Sequence, residues 1–254
     1  MSILEVSNVR KIYSSRFGAA KTVALCGTSF SVENGEFVAI MGESGSGKTT
    51  LLNLIASLDR PTSGDIILDG KKLSEISDKE LSVFRRENLG FVFQDFNLLD
   101  TFSIRDNIFL PLVLARKSYE EMSARLEPLA KRLEIQQFLD KFPYEVSGGQ
   151  KQRCAIGRAL ITNPKMLLAD EPTGALDSRT SDELLKLFEE INISGQTILM
   201  VTHSVKAASR AGRVLFLRDG EVFHQLYRAG RKPEEMIQKI YDTISVLGGG
   251  EARK

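Results

Sequence analysis

Length, composition and charge limit what this chain can be. Its 254 residues, 42% of them hydrophobic, are enough for one large α/β domain with a sizeable core. The 34 basic and 33 acidic residues nearly cancel, so charge provides no general attraction to nucleic acid or to an anionic membrane. No apolar run approaches the roughly 20 residues of a membrane span, and no secretory signal is expected. The two cysteines, Cys26 and Cys154, are typical of a reducing compartment.

The first part of the chain predicts antiparallel strands, a glycine-rich loop and a helix. Apolar and polar residues alternate over residues 4–9 and 23–32, which favours strands. The apolar run Phe37–Met41 is typical of a strand buried on both faces, and the glycine-rich residues 42–49 follow it directly. Helical spacing of apolar residues then extends over residues 48–58.

The rest of the chain predicts further strands and a largely helical insertion. The pattern from about residue 95 to 163 is mainly helical, and we interpret it as a subdomain inserted into the α/β core. Thr180 and Glu183 predict a capping box at the start of a later helix. Asp219-Gly220 predicts a hairpin turn. A polar helix is expected over residues 74–88, and strands are expected at residues 66–68, 89–93, 166–169, 198–201 and 214–217.

The C-terminal tail, residues 229–254, predicts a helical segment separable from a main domain of residues 1–228. Pro233 suits the first turn of a helix, and glycines at 248–250 are expected to end it. The apolar residues that share one face of this helix are Met236, Ile237, Ile240, Tyr241, Ile244 and Leu247.

Residues 42–49, Gly-Glu-Ser-Gly-Ser-Gly-Lys-Thr, predict a phosphate-binding loop. They lie between a buried strand and a helix, which is the context that such a loop requires. The glycines let the backbone aim N–H groups at phosphate oxygens, while Lys48 can reach the β- and γ-phosphates and Thr49 can bind Mg²⁺. A chance lysine in a glycine-rich loop would not explain both flanking elements. The residues assigned to nucleotide binding are Gly42, Ser44, Gly45, Gly47, Lys48, Thr49 and Thr50.

Two adjacent carboxylates end the predicted strand at 166–169. Asp170 is suited to hold Mg²⁺ through a water, and Glu171 is suited to orient and deprotonate an attacking water. The alternative is a strand with an acidic surface end, which is common. A phosphate-binding loop, however, needs a partner strand that holds Mg²⁺, so we favour the catalytic interpretation.

The order of these motifs resembles that of the nucleotide-binding subunits of ATP-binding-cassette (ABC) transporters. Lys48, Ser147-Gly148-Gly149-Gln150, Asp170-Glu171 and His203 carry the resemblance, which covers about residues 3–225. The five-residue turn at 146–150 is decisive, because other P-loop ATPases lack it at this place. The resemblance implies an α/β P-loop NTPase core with an N-terminal antiparallel β lobe and an inserted helical subdomain. It also implies ATP and Mg²⁺ as cofactors and a homodimer that encloses two ATP molecules.

The resemblance implies roles for further residues. Tyr13 would stack on adenine, although an ordinary strand aromatic remains an alternative. Gln94 would sense Mg²⁺ and the attacking water, and His203 would contact the γ-phosphate. Asp177 would belong to the loop that connects the two sites of the dimer. Gly174 departs from the family pattern, in which serine is common. The residues that would complete the site of the opposite subunit are Ser147, Gly148, Gly149 and Gln150.

Finer features resemble the subgroup that moves lipoproteins, macrolides or antimicrobial peptides. Residues 93–99, 144–146 and 171–177 carry that likeness, and residues 95–100 and 245–249 look most like bacitracin-type peptide-resistance transporters. The resemblance implies a separate transmembrane permease, a sensor histidine kinase in some complexes, no nucleic-acid partner, and a location at the cytoplasmic face of the plasma membrane. A lipoprotein-release or macrolide-export ATPase and a regulatory ATPase of a membrane partner remain alternatives.

A translation- or DNA-associated ATPase of the same fold is disfavoured. The translation-factor type usually carries two cassettes joined by a charged linker, whereas this chain has one cassette and a near-neutral charge. An apolar cluster after Gln94 is expected either to contact the permease or to pack inside the helical subdomain. Its members are Phe96, Leu98, Leu99 and Phe102.

Overall fold

A computed structural model describes residues 2–14 and 21–248, which form ten strands and eight α-helices. The strands are β1 (Ser2–Ser14), β2 (Lys21–Glu33), β3 (Phe37–Met41), β4 (Ser63–Leu68), β5 (Lys71–Lys72), β6 (Leu89–Val92), β7 (Met166–Asp170), β8 (Thr197–Val201), β9 (Arg213–Arg218) and β10 (Glu221–Tyr227). The helices are α1 (Lys48–Ile55), α2 (Asp78–Asn88), α3 (Ile104–Leu114), α4 (Tyr119–Arg132), α5 (Gly148–Leu160), α6 (Ser178–Ile193), α7 (Val205–Ala208) and α8 (Pro233–Gly248). The predicted end of the tail beyond residue 248 lies outside the described residues.

A six-stranded sheet forms the centre of the fold, in the order β10-β9-β3-β8-β7-β6. β3 is parallel to β8 and β9, and β7 is parallel to β8 and β6. All five residues of β3 are buried, as the apolar run predicts. β6 is an edge strand, so Phe91 stays half-buried, and the predicted burial of this strand holds only in part. The parallel strands bring the ends of β3, β7 and β8 to one edge of the sheet.

A second, antiparallel sheet of β2-β1-β4-β5 forms the predicted N-terminal lobe. The buried residues Leu4 and Val32 of this sheet belong to the same hydrophobic cluster as Ile40 of β3. Leu51 and Leu54 of α1 complete that cluster. Helix α1 therefore packs between the two sheets, and its N-terminus is held rigidly at the end of β3.

The predicted helical insertion consists mainly of α3, α4 and α5. Its apolar residues Ile108 and Leu126 belong to the same cluster as Leu167 of β7 and Ala39 of β3. The hydrophobic core of the insertion is therefore continuous with that of the main sheet. The predicted domain limits stay a prediction: residues 1–228 for the main domain and about 95–163 for the helical insertion.

Three local predictions are wrong in detail. Helix α1 ends at Ile55 and not at residue 58, because Ser57 adopts a left-handed φ of 55° and Leu58 turns outward, 55% exposed. The helix predicted over 74–88 is a 3₁₀ turn at Leu73–Glu75 followed by α2. The capping box at Thr180 and Glu183 is absent from α6, which Asp177 caps instead.

Helix α8 has the predicted apolar face, but only its first half is buried. Met236 and Ile240 are fully buried in the main core, whereas Tyr241 is 53% exposed and Ile244 is 42% exposed. The hairpin turn before β10 is confirmed, with φ of 48° at Asp219 and 77° at Gly220. Throughout residues 2–14 and 21–248, no helix combines the length and apolar character that crossing a membrane requires.

Candidate functional site

The glycine-rich loop joins β3 to α1, as the sequence predicts. Gly47 adopts a left-handed φ of 101° and forms the N-cap of α1. Because glycine has no side chain, it donates no capping group to the amides of the first turn. A Cβ atom at Gly42 would clash with the carbonyl oxygen of Leu217, so the loop needs glycine there. The amide groups at the start of α1 are left to an external acceptor, together with the positive end of the helix dipole. An anion fits this position.

Lys48 is folded back over its own loop. Its Nζ donates to the carbonyl oxygens of Gly42 at 2.9 Å and Glu43 at 2.7 Å. Burial lowers the pKa of Lys48, while the negative charges of Glu171 and Asp170 oppose that shift. The ammonium group therefore lies in the loop, within reach of any phosphate that the loop holds.

A cavity of about 590 Å³ opens at this edge of the sheet, a volume typical of small-molecule sites. Its remaining wall includes Thr22, Val23 and Ala24 of β2, which sequence reasoning did not assign to the site. Their position at the cavity follows from the packing of β2 beside the loop, which no local sequence pattern signals. The predicted residues that line this cavity are Gly42, Ser44, Gly45, Gly47, Lys48, Thr49, Thr50, Glu171 and His203.

The two predicted carboxylates lie at the end of β7. Burial and repulsion from Glu171 raise the pKa of Asp170, while Lys48 opposes the shift. A cation bound at Asp170 would favour the charged carboxylate and so oppose both the burial and the repulsion from Glu171. Glu171 itself adopts a left-handed φ of 45°, a strained conformation for a residue other than glycine. Its backbone N–H donates to Val201 of β8 at 2.9 Å, which holds this bend against the neighbouring strand.

The Glu171 carboxylate accepts hydrogen bonds from two consecutive residues after β8. Its Oε1 accepts from the His203 backbone N–H at 2.8 Å and lies 2.8 Å from His203 Nδ1. Its Oε2 accepts from the hydroxyl of Thr202 at 2.9 Å, and Thr202 is fully buried. Sequence reasoning missed Thr202, although a hydroxyl residue directly before His203 was an available signal. Glu171 and His203, 32 residues apart, thus meet at one cavity.

The turn at 147–150 lies at another cavity, of about 560 Å³, which Ser147, Gly149 and Gln150 line together with Thr180. Ser147 caps α5: its hydroxyl accepts from the Gln150 backbone N–H at 3.4 Å, and the Gln150 side chain accepts from the Ser147 N–H at 2.8 Å. Gly148 faces Leu176 instead. The N-terminal end of α5 therefore lies at a different cavity from the phosphate-binding loop of the same chain.

Gln94 and Asp177 lie on connecting segments, Gln94 shortly after β6 and Asp177 directly before α6. Gln94 is exposed, and its Cδ would lie 2.9 Å from a Cβ atom at Gly174, so the glycine leaves room for the glutamine. Asp177 Oδ1 accepts from the backbone N–H groups of Arg179 and Thr180, both at 3.0 Å. The hydrogen bonds from Thr180 lower the pKa of Asp177. Asp177 thereby fixes the start of α6.

Tyr13 lies beside the wall of the first cavity. It pairs with Thr22, a cavity residue, in the register of β1 and β2. Its hydroxyl donates to Asp59 at 2.9 Å, and the Lys11 ammonium lies 4.8 Å from its ring centroid. The ring is 43% exposed, and its role toward adenine stays a prediction.

The residues at the first cavity fit a nucleotide with Mg²⁺. The loop and the start of α1 suit phosphates, and Lys48 supplies a cation. Among the described residues, no group of three or more His, Cys, Asp or Glu could hold a metal ion. A metal here would therefore be shared by a few protein oxygens, water and phosphate, which is the coordination that Mg²⁺ favours. Thr49 and Asp170 are the protein groups suited to it.

Comparison with known proteins gives consistent matches. The family described as ABC transporter matches residues 25–174. The Bacillus subtilis ABC transporter ATP-binding protein YvcR is 50% identical over 250 residues, covering 98% of this chain and 96% of that protein. The bacitracin export ATP-binding protein BceA of Halalkalibacterium halodurans is 43% identical over 250 residues, covering 98% of both.

A solved structure is similar over most of its length. The ATP-binding cassette MJ0796, a dimer in a post-hydrolysis state with bound ADP and phosphate, has a TM-score of 0.80 and 40% identity. The match covers 88% of this chain and 98% of that one. The predicted α/β P-loop fold, the ATPase activity and the cofactors ATP and Mg²⁺ are confirmed. The chain belongs to the ABC transporter family, as an ATP-binding cassette that hydrolyses ATP.

Proposed function

We propose that this chain works as a homodimer that encloses two ATP molecules and drives a separate membrane permease. The observation that carries the proposal is the division of the site between two cavities. Glu171, His203 and the phosphate-binding loop line one cavity, whereas Ser147 and Gly149 line the other. ATP held by one chain would leave its γ-phosphate uncovered, and the α5 N-terminus of a second chain would cover it. The dimer of the similar cassette MJ0796 supports this arrangement.

We propose roles in hydrolysis for Lys48, Thr49, Asp170 and Glu171. Lys48 would exchange the carbonyls of Gly42 and Glu43 for the β- and γ-phosphates, gaining charge-assisted hydrogen bonds. Thr49 and, through a water, Asp170 would hold Mg²⁺, which would supply positive charge beside the phosphates. Glu171 would take the proton of the attacking water, since its carboxylate reaches the same cavity.

The remaining assigned residues would contact the bound nucleotide, Mg²⁺ or the attacking water. His203, already hydrogen-bonded to Glu171, would contact the γ-phosphate, and Gln94 would contact Mg²⁺ and the water. Tyr13 would stack on adenine beside the β2 wall. Asp177, at the start of α6, would connect the two sites of the dimer. Removal of the γ-phosphate would weaken the contacts across the dimer, so ATP favours the closed state and hydrolysis the open one.

The surface after Gln94 suits contact with the permease. Leu99 is 44% exposed and Phe102 is 39% exposed, while Leu98 packs against the main core and Phe96 is half-buried. The cluster is therefore divided, with two apolar side chains available to a partner. We assign the chain to the cytoplasmic face of the plasma membrane, held there by this contact.

The transported class that we propose is antimicrobial peptides of the bacitracin type. The 43% identity to BceA over 98% of this chain supports this assignment. A sensor histidine kinase would join the complex in that case. A lipoprotein-release or macrolide-export ATPase, or a regulatory ATPase of a membrane partner, would share the same cassette chemistry.

Capture of the tagged chain from gently solubilised membranes tests this proposal. We expect a permease with a large extracellular domain, with or without a histidine kinase, and bacitracin sensitivity when Glu171→Gln replaces the wild type. The double variant Leu99→Ser/Phe102→Ser should lose the permease, whereas Ile193→Ser, at an 84% exposed site elsewhere, should keep it. Recovery of soluble proteins alone would contradict the transporter proposal and leave the ATPase chemistry standing.

A further inference from the structure

Gln152 of α5 links two segments of the hydrolysis site. Its side chain is fully buried, and its Nε2 donates to the carbonyl oxygen of Phe93 at 3.0 Å and to that of Pro172 at 2.7 Å. Phe93 directly precedes Gln94, and Pro172 directly follows Glu171. Both acceptors are carbonyl oxygens, so only the amide nitrogen can face them, and the orientation of the amide is fixed.

The other end of the same amide is unsatisfied. The buried Oε1 of Gln152 finds no hydrogen-bond partner among the described residues. A buried acceptor left without a partner destabilises a fold, and an apolar side chain of similar size would avoid that loss. The amide at this position is therefore explained by the two carbonyls that it holds, not by packing.

A second side chain of α5, that of Arg158, binds the backbone that follows Gln94. Arg158 donates to the carbonyl oxygens of Phe96 at 3.0 Å and Asn97 at 2.6 Å. Phe96 and Asn97 both adopt left-handed conformations, with φ of 61° and 50°. Helix α5 thus fixes residues 93–97 at both ends, and the strained pair stays in place because the guanidinium holds its carbonyls.

We propose that Gln152 is a positioning residue that couples the two half-sites of the dimer. Ser147 is the N-cap of helix α5 and would contact the nucleotide of the opposite chain, and Gln152 lies about one and a half turns further along the same helix. A displacement of that helix would therefore move the backbone beside both Gln94 and Glu171. The proposal rests on the roles proposed above for these residues. It assigns to Gln152 the link by which one site responds to the closure of the other.

Paired glutamine variants test this link in the full-length chain. Gln152→Met has similar size and lacks both donors. Gln196→Met is the matched control, because Gln196 Nε2 also donates to two carbonyls, those of Pro164 at 3.1 Å and Thr197 at 3.2 Å, outside the ATP cavity. Both variants remove the same kind of bond, so thermal unfolding of both should shift in the same direction.

Only Gln152→Met should affect hydrolysis. We expect its kcat to fall on the order of tenfold to a hundredfold with ATP affinity unchanged, since misplaced catalytic groups lose rate while the loop stays intact. Gln196→Met should keep the wild-type kcat. A Gln152→Met enzyme with wild-type kcat, or equal losses of kcat in both variants, would overturn the proposal. An inactive wild type would instead count against the ATPase itself.

A second variant decides the case if Gln152→Met does not fold. Arg158→Lys keeps the charge but loses the fork that holds two carbonyls at once. We expect the same pattern, a lower kcat with unchanged ATP affinity. Wild-type kcat in Arg158→Lys would then contradict the view that α5 positions residues 93–97.

Discussion

The substitution Gly149→Ala should destabilise the protein through a single contact. A Cβ atom at Gly149 would lie closer than 3.0 Å to Cγ2 of Thr180, whereas ordinary contact begins at 3.4 Å. Thr180 cannot easily rotate away, because its hydroxyl donates to Asp177 at 2.6 Å and its branched side chain has few rotamers. Helices α5 and α6 must therefore separate locally, and such overpacking typically costs about 1–3 kcal/mol.

Thr180→Ser removes the obstructing methyl group and keeps the hydroxyl. The nearest remaining atoms, Cβ at 3.7 Å and Oγ1 at 4.0 Å from the added Cβ, are at ordinary contact distances. In that background Gly149→Ala should be neutral or stabilising, because alanine favours a helix over glycine by up to about 1 kcal/mol. The substitution thus changes from harmful to harmless when one methyl group is removed.

Thermal unfolding of the wild type, both single variants and the double variant measures this coupling. For a chain of this size, about 1 kcal/mol corresponds to a shift of about 2–4 °C in Tm. We expect a coupling energy between positions 149 and 180 of about 1–3 kcal/mol. Additive effects within about 0.5 kcal/mol would refute the packing argument and would leave Gly149 explained by nucleotide contact alone.

Three further outcomes are expected. Lys48→Ala should weaken binding of a fluorescent ATP analogue on the order of tenfold or more, because a charge-assisted bond to phosphate is lost, and unchanged affinity would exclude the loop assignment. Asp177→Ala should lower the unfolding free energy and the Tm through loss of the α6 cap, whereas Glu183→Ala, outside that cap, should change them little in thermal unfolding. Burial raises the pKa of Cys154 to about 12, so at pH 8 its thiolate fraction is on the order of one in ten thousand. Maleimide should therefore modify the partly exposed Cys26 first in the folded protein. Equal labelling of both cysteines in the folded protein, measured by mass spectrometry, would contradict this.

The elements that the sequence predicts well are those whose signals are contiguous. A buried strand, a glycine loop and a helix follow one another from Phe37 to Ile55, so each supports the interpretation of the next. The strands before Glu171 and His203 are likewise marked by short apolar runs. The family resemblance then assigns motifs that lie far apart in the chain to the same ATP site.

Two of the misses concern hydrogen bonds between residues that lie far apart in the chain. Thr202 and Gln152 act through hydrogen bonds to residues 31 and 20 positions away, and these exist only after the strands pair and α5 docks. The sequence does not single out the cap of α6, because both Asp177 and Thr180 are good cap residues. The structure gives the cap to Asp177, and Thr180 instead donates its hydroxyl to it. The early end of α1 follows from tertiary contacts of its apolar side chains, which Leu58 does not share.

The molar mass of the Glu171→Gln variant with ATP and Mg²⁺ tests the central claim most directly. The variant keeps the phosphate contacts and loses the base, so it should bind ATP and remain closed. Light scattering should give about twice the 28.2 kDa of one chain, with one ATP bound per chain, and a single chain's mass without nucleotide. A variant that binds ATP but keeps the mass of a single chain would contradict the shared site on which the proposed function depends.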